Sequence, residues 1–396
     1  MKKILFMVID MNIGGTEKAL LTMLSELSRE RYHITVLMMR EQGGFLKYIP
    51  NEVNVKILDI NKDIEMAINE APINVVRNYI RKRKILKASG ILYYYFISKI
   101  TKRRDIYYKY ILKEMESEDN EYDVAIAYAG PMEFISYYVC NKIKAKRKLQ
   151  WIHFDINKIG FDKFFAKRLY KKFDKIFCVS TEGRDKLIEK IPCLRNKVEV
   201  FLNIISENLI LKQINLGKTF NDSFTGVRLL TVGRLCNQKG QDIAIKVMNK
   251  LIKDGLDVRW YCIGDGSNRN EYEKLIREFK MEEKFILLGA TDNPYRYMYD
   301  CDIYIQPSRH EGYCTTVTEA KILKKPMIIT DVNGSREQIK NGYNGIIVDF
   351  DEEQIYKAIK NLIKNIELRE KFRESLEKEK ISTNEQIKKL IEIIDN

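Results

Sequence analysis

Two glutamates eight positions apart are the most informative pair in the sequence. Glu311 stands in a loop that follows a predicted strand, and Glu319 lies two turns farther on, in a predicted helix from about 313 to 323. The first N–H groups of a helix have no partner within it and favour an anion such as phosphate. Because a carboxylate cannot help to bind phosphate, Glu319 suits a ligand that donates hydroxyl groups, such as ribose. The amides that would meet the anion belong to Cys314, Thr315, Thr316 and Val317.

A second group of residues supplies positive charge. The loop at 233–240, GRLCNQKG, follows the apolar run VRLLTV and precedes a predicted helix. Arg234 and Lys239 lie five positions apart across this turn, so both cations could converge above the strand end. The forked guanidinium and the compact ammonium group suit two adjacent phosphates. Two exposed loop cations without a ligand remain the alternative.

Paired glycines, Gly14 and Gly15, follow the first predicted strand and open a helix. Glycine lets the backbone approach a phosphate closely, and the helix N-terminus adds unpaired amides and a partial positive charge. Any tight strand-to-helix turn can use glycine for structural reasons, so that alternative stays open.

Two other motifs do not meet the requirements of the sites that they suggest. Gly264 and Gly266 follow the run VRWYCI like a dinucleotide fingerprint, but Arg269 occupies the place of its third glycine. The Asp-x-Asp pair at 300–302 lies at the beginning of a predicted strand, opposite the ligand end, and the pair at 349–351 follows a terminal strand. We therefore expect neither a nicotinamide cofactor nor a metal ion.

Short apolar runs alternate with amphipathic stretches along the chain, as in KILFMVI followed by TEKALLTMLSELS. This alternation predicts βα repeats and therefore an α/β fold with parallel sheets, whose ligands bind at the carboxyl ends of the strands. At 396 residues the chain exceeds the usual size of one core, and the pattern restarts after a polar interval at 206–226. The sequence predicts an N-terminal domain over 1–203, a C-terminal domain over 204–375, and a last helix over 376–396 that returns to the N-terminal domain.

Composition narrows the class of protein further. Apolar residues make up 45% of the chain, enough for two cores, and the seven cysteines show no Cys-x-x-Cys spacing. This cysteine usage predicts a reducing, cytoplasmic setting without structural zinc. No run approaches the roughly 20 apolar residues that a spanning helix needs. We expect a soluble or peripheral protein.

The net charge of +14 has its main source in the N-terminal half, where residues 77–113 contain twelve Lys or Arg and one Asp. Eight aromatic residues interleave with these cations, namely Tyr79, Tyr93, Tyr94, Tyr95, Phe96, Tyr107, Tyr108 and Tyr110. Such a mixture suits an anionic membrane surface, with the aromatic rings at headgroup depth. A solvated basic face and a nucleic-acid surface are the alternatives, and we expect no nucleic acid.

In combination, the motifs resemble the retaining glycosyltransferases of family 4, which have the GT-B fold of two Rossmann-like parallel-sheet domains facing each other across a cleft. The shared features are the E-x7-E motif of Glu311 and Glu319, the double glycine, and the segments G-R-L-x-x-Q-K-G, I-G-D-G, L-L-G-x-T-D and P-S-x-x-E-G-Y. The resemblance spans most of 1–375 and is loosest between 60 and 120.

The resemblance implies a role for each matching position. Arg234 and Lys239 would bind the donor diphosphate, Glu319 the ribose, and Glu311 the hydroxyls of the transferred sugar, with His153 near that sugar. The implied catalytic residues are Glu311, His153, Arg234 and Lys239. The implied donor-binding residues are Gly14, Gly15, Arg234, Lys239, Gly264, Gly266, Glu311, Gly312, Tyr313, Cys314, Thr315, Thr316, Val317 and Glu319.

The expected function is transfer of a hexose or N-acetylhexosamine from a nucleotide diphosphate sugar, by default a UDP-sugar, without cofactor or metal. The expected acceptor is a polysaccharide, a lipid-linked oligosaccharide or a glycolipid of a bacterial cell envelope, met near the inner face of the plasma membrane. Two alternatives remain open. One is an epimerase or donor hydrolase of the same fold, and the other is a basic surface-binding protein on an inert scaffold.

Overall fold

The structure, a computed structural model, describes residues 1–379 and 384–395. Within these residues the N-terminal sheet has seven parallel strands in the order β3-β2-β1-β4-β5-β6-β7. Its strands are β1 (Lys2–Val8), β2 (Tyr32–Met38), β3 (Asn54–Ile57), β4 (Glu118–Ala127), β5 (Ile143–Ile152), β6 (Lys175–Cys178) and β7 (Val198–Val200). Strand β1, in the interior of the sheet, is apolar and buried from Ile4 to Val8, as expected where helices cover both faces of a parallel sheet.

Helices connect these strands. They are α1 (Gly15–Glu26), α2 (Lys62–Asn69), α3 (Pro72–Arg81), α4 (Ile85–Ile100), α5 (Arg104–Ile111), α6 (Glu133–Lys142), α7 (Lys163–Tyr170) and α8 (Thr181–Lys190), with short 3-10 turns at Leu46–Tyr48 and Pro192–Lys197. Helix α1 follows the Gly14 turn directly and places its first turn at the carboxyl end of β1. This edge of the sheet is where ligands bind in such folds.

The C-terminal sheet has six parallel strands among the described residues, in the order β10-β9-β8-β11-β12-β13. Its strands are β8 (Val227–Val232), β9 (Val258–Ile263), β10 (Phe285–Gly289), β11 (Ile303–Gln306), β12 (Met327–Thr330) and β13 (Ile346–Val348). Its helices are α9 (Glu207–Ile214), α10 (Gln241–Lys253), α11 (Arg269–Glu278), α12 (Tyr295–Asp300), α13 (Thr315–Ile322), α14 (Ser335–Gln338), α15 (Glu352–Lys364) and α16 (Ile366–Glu377), with a 3-10 turn at Asn237–Lys239. The two sheets confirm the predicted α/β class with two Rossmann-like domains.

The boundary between the two hydrophobic cores lies between Ile204 and Ile205. Ile204 packs among residues of the first sheet, whereas Ile205 packs among residues of the second. The last helix, α17 (Asn384–Asp395), returns to the first core through Leu390 and Ile394.

The predicted helix over 376–396 differs from the structure at its start. Leu376 belongs to α16, which ends at Glu377 and packs into the C-terminal core, and α17 begins only at Asn384. Residues 380–383 and 396 of that prediction lie outside the described residues. Buried Leu376 explains the difference, because its apolar side chain continues the pattern of α16.

The basic segment 77–113 folds into the end of α3 and the helices α4 and α5. Tyr79, Tyr107 and Tyr108 are buried in the N-terminal core, so the expectation of rings at headgroup depth is wrong for these three. Tyr93 and Phe96 on α4 are exposed. No helix of the described residues combines the length and apolar content that crossing a membrane requires.

Candidate active site

A cleft of about 390 Å³ separates the two sheets and is lined by residues of both domains. Its walls directly follow β1 and β5 on one side and β8, β9 and β10 on the other. These are carboxyl ends of parallel strands, where loops and helix N-termini gather. Most of the predicted site residues line this cleft, namely Gly14, Gly15, His153, Arg234, Lys239, Gly264, Glu311, Gly312, Tyr313, Cys314, Thr315, Thr316 and Glu319.

Two predicted site residues do not line the cleft, Gly266 and Val317. A Cβ atom on Gly266 would lie 2.4 Å from the carbonyl oxygen of Leu235, so the glycine is required by backbone packing. The side chain of Val317 is buried in the C-terminal core, and its N–H donates to the Cys314 carbonyl over 3.2 Å. We therefore correct the expectation that either residue faces the donor.

Glu311 and Lys239 form an ion pair within the cleft. The Nζ atom of Lys239 lies 2.6 Å from Oε1 of Glu311, and both side chains are largely buried. Burial acts to lower the pKa of Lys239, but the Glu311 carboxylate outweighs it and the net pKa is raised. An ammonium group has three donors. The lysine therefore stays charged and keeps donors for a further anionic ligand.

A chain of hydrogen bonds fixes the Glu311 carboxylate from the core side. Tyr304 donates to Gln306 Oε1 over 2.6 Å, and Gln306 Nε2 donates to Ser308 Oγ over 2.9 Å. Ser308 in turn donates to Glu311 Oε1 over 2.6 Å. These groups lie at the end of β11 and are buried, so the carboxylate has one well-defined position.

Arg234 takes a different position from Lys239. Arg234 is exposed at the edge of the cleft, in the loop between β8 and α10. Lys239 is the last residue of the 3-10 turn in the same loop. The positive charge of Arg234 interacts with Glu17 and with Lys239. Both cations thus line the cleft from the C-terminal domain.

Helix α13 begins at Thr315, two residues later than its predicted start near Tyr313. Cys314 is its N-cap in an extended conformation and provides no side-chain cap. Tyr313 packs against the N-terminal core, which holds this part of the chain out of the helix. The amides of Thr315 and Thr316 open the helix toward the cleft and are the candidates for binding an anion.

Glu319 lies on α13 and is the most deeply buried carboxylate of the cleft, with 1% of its side chain exposed. Its Oε1 atom pairs with Lys18 Nζ of α1 at 2.7 Å, and Tyr295 of α12 adjoins the pair. Its Oε2 atom is buried and has no hydrogen-bond partner among the residues that the structure describes. A carboxylate with one free oxygen suits a ligand hydroxyl.

His153 follows β5 on the opposite wall, and 5% of the residue is exposed. Burial lowers its pKa to about 3 despite a hydrogen bond to the backbone of Tyr128. Its Nε2 atom is buried and has no hydrogen-bond partner within 1–379 and 384–395. The imidazole is therefore neutral at pH 7, and its free ring nitrogen can bind a sugar hydroxyl.

Close approach of the two domains depends on glycines. A Cβ atom on Gly15 would lie 2.5 Å from Thr315 Oγ1, and one on Gly312 would lie 1.8 Å from the carbonyl oxygen of His153. Each contact joins one domain to the other. Gly312 and Gly15 are therefore needed to close the cleft, whatever else their backbones bind.

Comparison with known families identifies the C-terminal half. Residues 224–379 match the model described as glycosyl transferases group 1. The C-terminal domain belongs to the group 1 glycosyltransferases. The matched region of this group 1 domain includes Arg234, Lys239, Glu311 and Glu319.

Curated relatives agree with this family. The chain is 28% identical over 215 residues to the N-acetylgalactosamine-N,N'-diacetylbacillosaminyl-diphospho-undecaprenol 4-alpha-N-acetylgalactosaminyltransferase of Campylobacter jejuni, covering 54% of this chain and 57% of that protein. An uncharacterized glycosyltransferase of Haemophilus influenzae is 22% identical over 377 residues, covering 93% and 92% of the two chains. The chain spans about half the length of the first curated relatives it matches.

Solved structures extend the likeness to both domains. Anabaena HepE in complex with UDP and glucose superimposes with a TM-score of 0.73 over 100% of both chains, at 14% identity. This similarity confirms the predicted GT-B fold around the group 1 domain.

The acidic side chains of the described residues were candidates for binding a metal ion. Over 1–379 and 384–395, no cluster of three or more His, Cys, Asp or Glu is arranged to hold a metal ion. Asp302, of the first Asp-x-Asp pair, accepts a hydrogen bond from the backbone N–H of Arg228 over 2.8 Å. That contact lies at the amino end of β11, away from the cleft.

Sequence reasoning assigned Gly14, Gly15 and His153 of the N-terminal domain to this site but missed the charged residues of that domain. Asp10, Glu17 and Lys18 line the cleft from the loop after β1 and from α1, and Tyr295 lies beside Lys18. Burial raises the pKa of Glu17 to about 7. The signal available in the sequence was the Thr-Glu-Lys run directly after the double glycine, which puts two charges on the first turn of a helix.

Proposed function

We propose that the protein is a retaining glycosyltransferase that moves a hexose or N-acetylhexosamine from a UDP-sugar to a saccharide acceptor. The acceptor is a polysaccharide, a lipid-linked oligosaccharide or a glycolipid. One observation carries the proposal: Lys239, Glu311, Glu319 and the start of α13 converge on one interdomain cleft. The UDP complexes of similar fold support the choice of donor.

The charges of the cleft suit departure of a nucleotide diphosphate. As the bond between the anomeric carbon and the phosphate oxygen breaks, negative charge builds on that oxygen. Arg234, Lys239 and the first amides of α13 supply positive potential on one wall, which lowers the barrier when it is already in place. The same residues perform this step without a metal ion.

Retention of configuration follows if the acceptor attacks from the face that the diphosphate leaves. The acceptor hydroxyl forms the new bond to the anomeric carbon, and its proton passes to the departing phosphate oxygen. His153 is a weak base, because burial lowers its pKa to about 3. We assign its free Nε2 to a hydroxyl of the transferred sugar.

The two glutamates then have separate roles. Glu311 is held by Lys239 and Ser308 beside the phosphate-binding wall, which suits the hydroxyls of the transferred sugar. Glu319 lies two turns deeper with one free oxygen, which suits the ribose.

A panel of nucleotide diphosphates and their sugars tests the donor, with the shift in melting temperature as the measurement. Glu319→Ala should weaken UDP binding, and Glu311→Ala should lower kcat with a smaller effect on UDP affinity. Glu353→Ala, which changes an exposed carboxylate of α15, is the matched control. A flat response of the wild-type protein to every nucleotide would contradict the enzyme proposal.

The acceptor reaction distinguishes the proposal from its alternatives. With a UDP-sugar alone, a hydrolase would consume the donor, and an epimerase would bring it to equilibrium with its epimer. A transferase needs an acceptor for efficient turnover, so product analysis with and without octyl glycosides separates the two classes.

We also propose that the turn between α3 and α4 contacts an anionic membrane. Ile80, Ile85 and Leu86 are exposed there, by 57%, 69% and 88%. Arg81 and Arg83 lie between them and have no ion pair among the described residues. Exposed apolar side chains next to unpaired cations favour the interface of an anionic bilayer.

Part of the positive charge predicted for this segment is neutralised. Lys82 and Lys84 pair with Asp63, and Lys87 pairs with Glu114. The apolar tip therefore contributes to binding along with the remaining charge, and high salt should weaken the contact only in part.

Co-sedimentation with vesicles tests this contact. We expect binding to phosphatidylglycerol vesicles, weaker binding to phosphatidylcholine, and loss of both on Leu86→Glu. Ile366→Glu, at an exposed apolar position of α16, is the control. Equal sedimentation of the two variants would contradict the proposed contact.

A further inference from the structure

Lys18 reaches across the cleft to the carboxylate that we assign to the ribose. It lies on the first turns of α1 in the N-terminal domain, and its Nζ atom is 2.7 Å from Oε1 of Glu319 in the C-terminal domain. The same ammonium lies 4.3 Å from the centre of the Tyr295 ring. Burial acts to lower the pKa of Lys18, but Glu319 and Tyr295 outweigh it and the net pKa is raised. The lysine is therefore charged at neutral pH.

The ion pair leaves the two oxygens of the Glu319 carboxylate in different environments. Lys18 takes Oε1, whereas Oε2 is buried without a hydrogen-bond partner among the described residues. Both side chains line the cleft. An unsatisfied buried oxygen is unfavourable, and a ligand hydroxyl would satisfy it. The lysine thus fixes which oxygen remains for the ligand.

The ion pair also joins the two domains at a position shielded from water. Separating the domains would take Lys18 away from Glu319 and open the carboxylate to water. The carboxylate therefore has its ligand-ready arrangement only while α1 and α13 are in contact.

We propose that Lys18 is a positioning residue for the nucleotide: it orients Glu319 toward the ribose and makes nucleotide affinity depend on contact between the two domains. This inference rests on the proposed function, in which Glu319 binds ribose. Binding of the nucleotide and closure of the cleft are then linked, so each favours the other. The N-terminal domain contributes to donor recognition although it contains no residue of the E-x7-E motif.

Calorimetric titration of the full chain with UDP and with inorganic diphosphate tests the inference, because only UDP carries a ribose. Lys18→Met keeps most of the length of the side chain and removes its charge. We expect UDP to bind on the order of tenfold more weakly or worse, with diphosphate affinity nearly unchanged. Lys18→Arg should restore part of the UDP affinity.

Two controls separate positioning from a general effect on the fold. Lys47→Met removes another interdomain ion pair, that of Lys47 with Asp292 at 2.9 Å, but an exposed one, and should leave UDP affinity nearly unchanged. In a Glu319→Gln background, Lys18→Met should have little further effect on UDP affinity, because the group through which it acts is already changed.

The outcomes that overturn the inference are distinct. Unchanged UDP affinity in Lys18→Met, or equal loss for UDP and diphosphate, would show that Lys18 does not act through the ribose. Additive losses in the double variant would also refute it. If the wild-type protein binds no UDP, the proposed function itself fails and the inference fails with it.

Discussion

Replacing His153 by glutamine should remove a pH dependence of stability. Burial holds the pKa of this imidazole at about 3 in the folded protein, against an ordinary value of 6.5. Between these pH values the unfolded chain binds a proton that the folded protein does not. The folded state therefore has its full stability from this group above pH 6.5 and loses it as the pH falls. At pH 5 the loss is about 2 kcal/mol.

Urea unfolding of the wild-type protein and of His153→Gln at several pH values between 5 and 7.5 measures this loss. The glutamine cannot be protonated, so the difference in unfolding free energy between the two proteins should change by about 2 kcal/mol in favour of the variant as the pH falls. His33→Gln is the matched control, since His33 is exposed. A constant difference between His153→Gln and wild type across this range would refute the burial argument.

Three further substitutions in or next to the cleft have predicted effects. Gly312→Ala should weaken UDP binding and lower kcat with the melting temperature of each domain retained, because its Cβ would lie 1.8 Å from the His153 carbonyl and force the domains apart. Glu17→Gln should stabilise the protein by about 1–3 kcal/mol at pH 8 and by nothing at pH 4 in urea unfolding. The reason is that burial raises the pKa of Glu17 to about 7, so the folded protein loses stability as the pH rises from 4.5 to 7. Ser308→Ala should reduce kcat about tenfold with UDP affinity preserved, since it removes one hydrogen bond to Glu311. Unchanged kcat in both Gly312→Ala and Ser308→Ala would contradict the positions assigned to the cleft groups.

The regular part of the fold could be predicted from the sequence because hydrophobic periodicity records burial directly. Runs such as KILFMVI become β1 with both faces covered, and the restart of the pattern after 206–226 corresponds to the second sheet. The spacing of Glu311 and Glu319 around a strand end also predicts that both line one cleft, since a loop and a helix start leave little freedom there.

Contacts between the domains could not be predicted in this way. Lys18 and Glu319 are far apart in the chain, and no spacing rule relates a residue of one sheet to a residue of another. The rings of 77–113 show a related limit: composition marks Tyr107 and Tyr108 as aromatic, but only the packing of α4 and α5 on the core decides that they are buried. The greater exposure of Arg234 than of Lys239 likewise depends on the shape of their loop, which the sequence does not reveal.

The return of α17 to the first domain determines the order in which the molecule can be completed. Lys2 donates to the carbonyl oxygen of Ile394 over 3.0 Å, and Leu390 and Ile394 fill places in the core beside β1. A ribosome makes the first sheet long before these two residues, and the entire group 1 domain is made in between. During synthesis that domain can close its own core first. The N-terminal core therefore acquires Leu390 and Ile394 only after the whole group 1 domain has been synthesised.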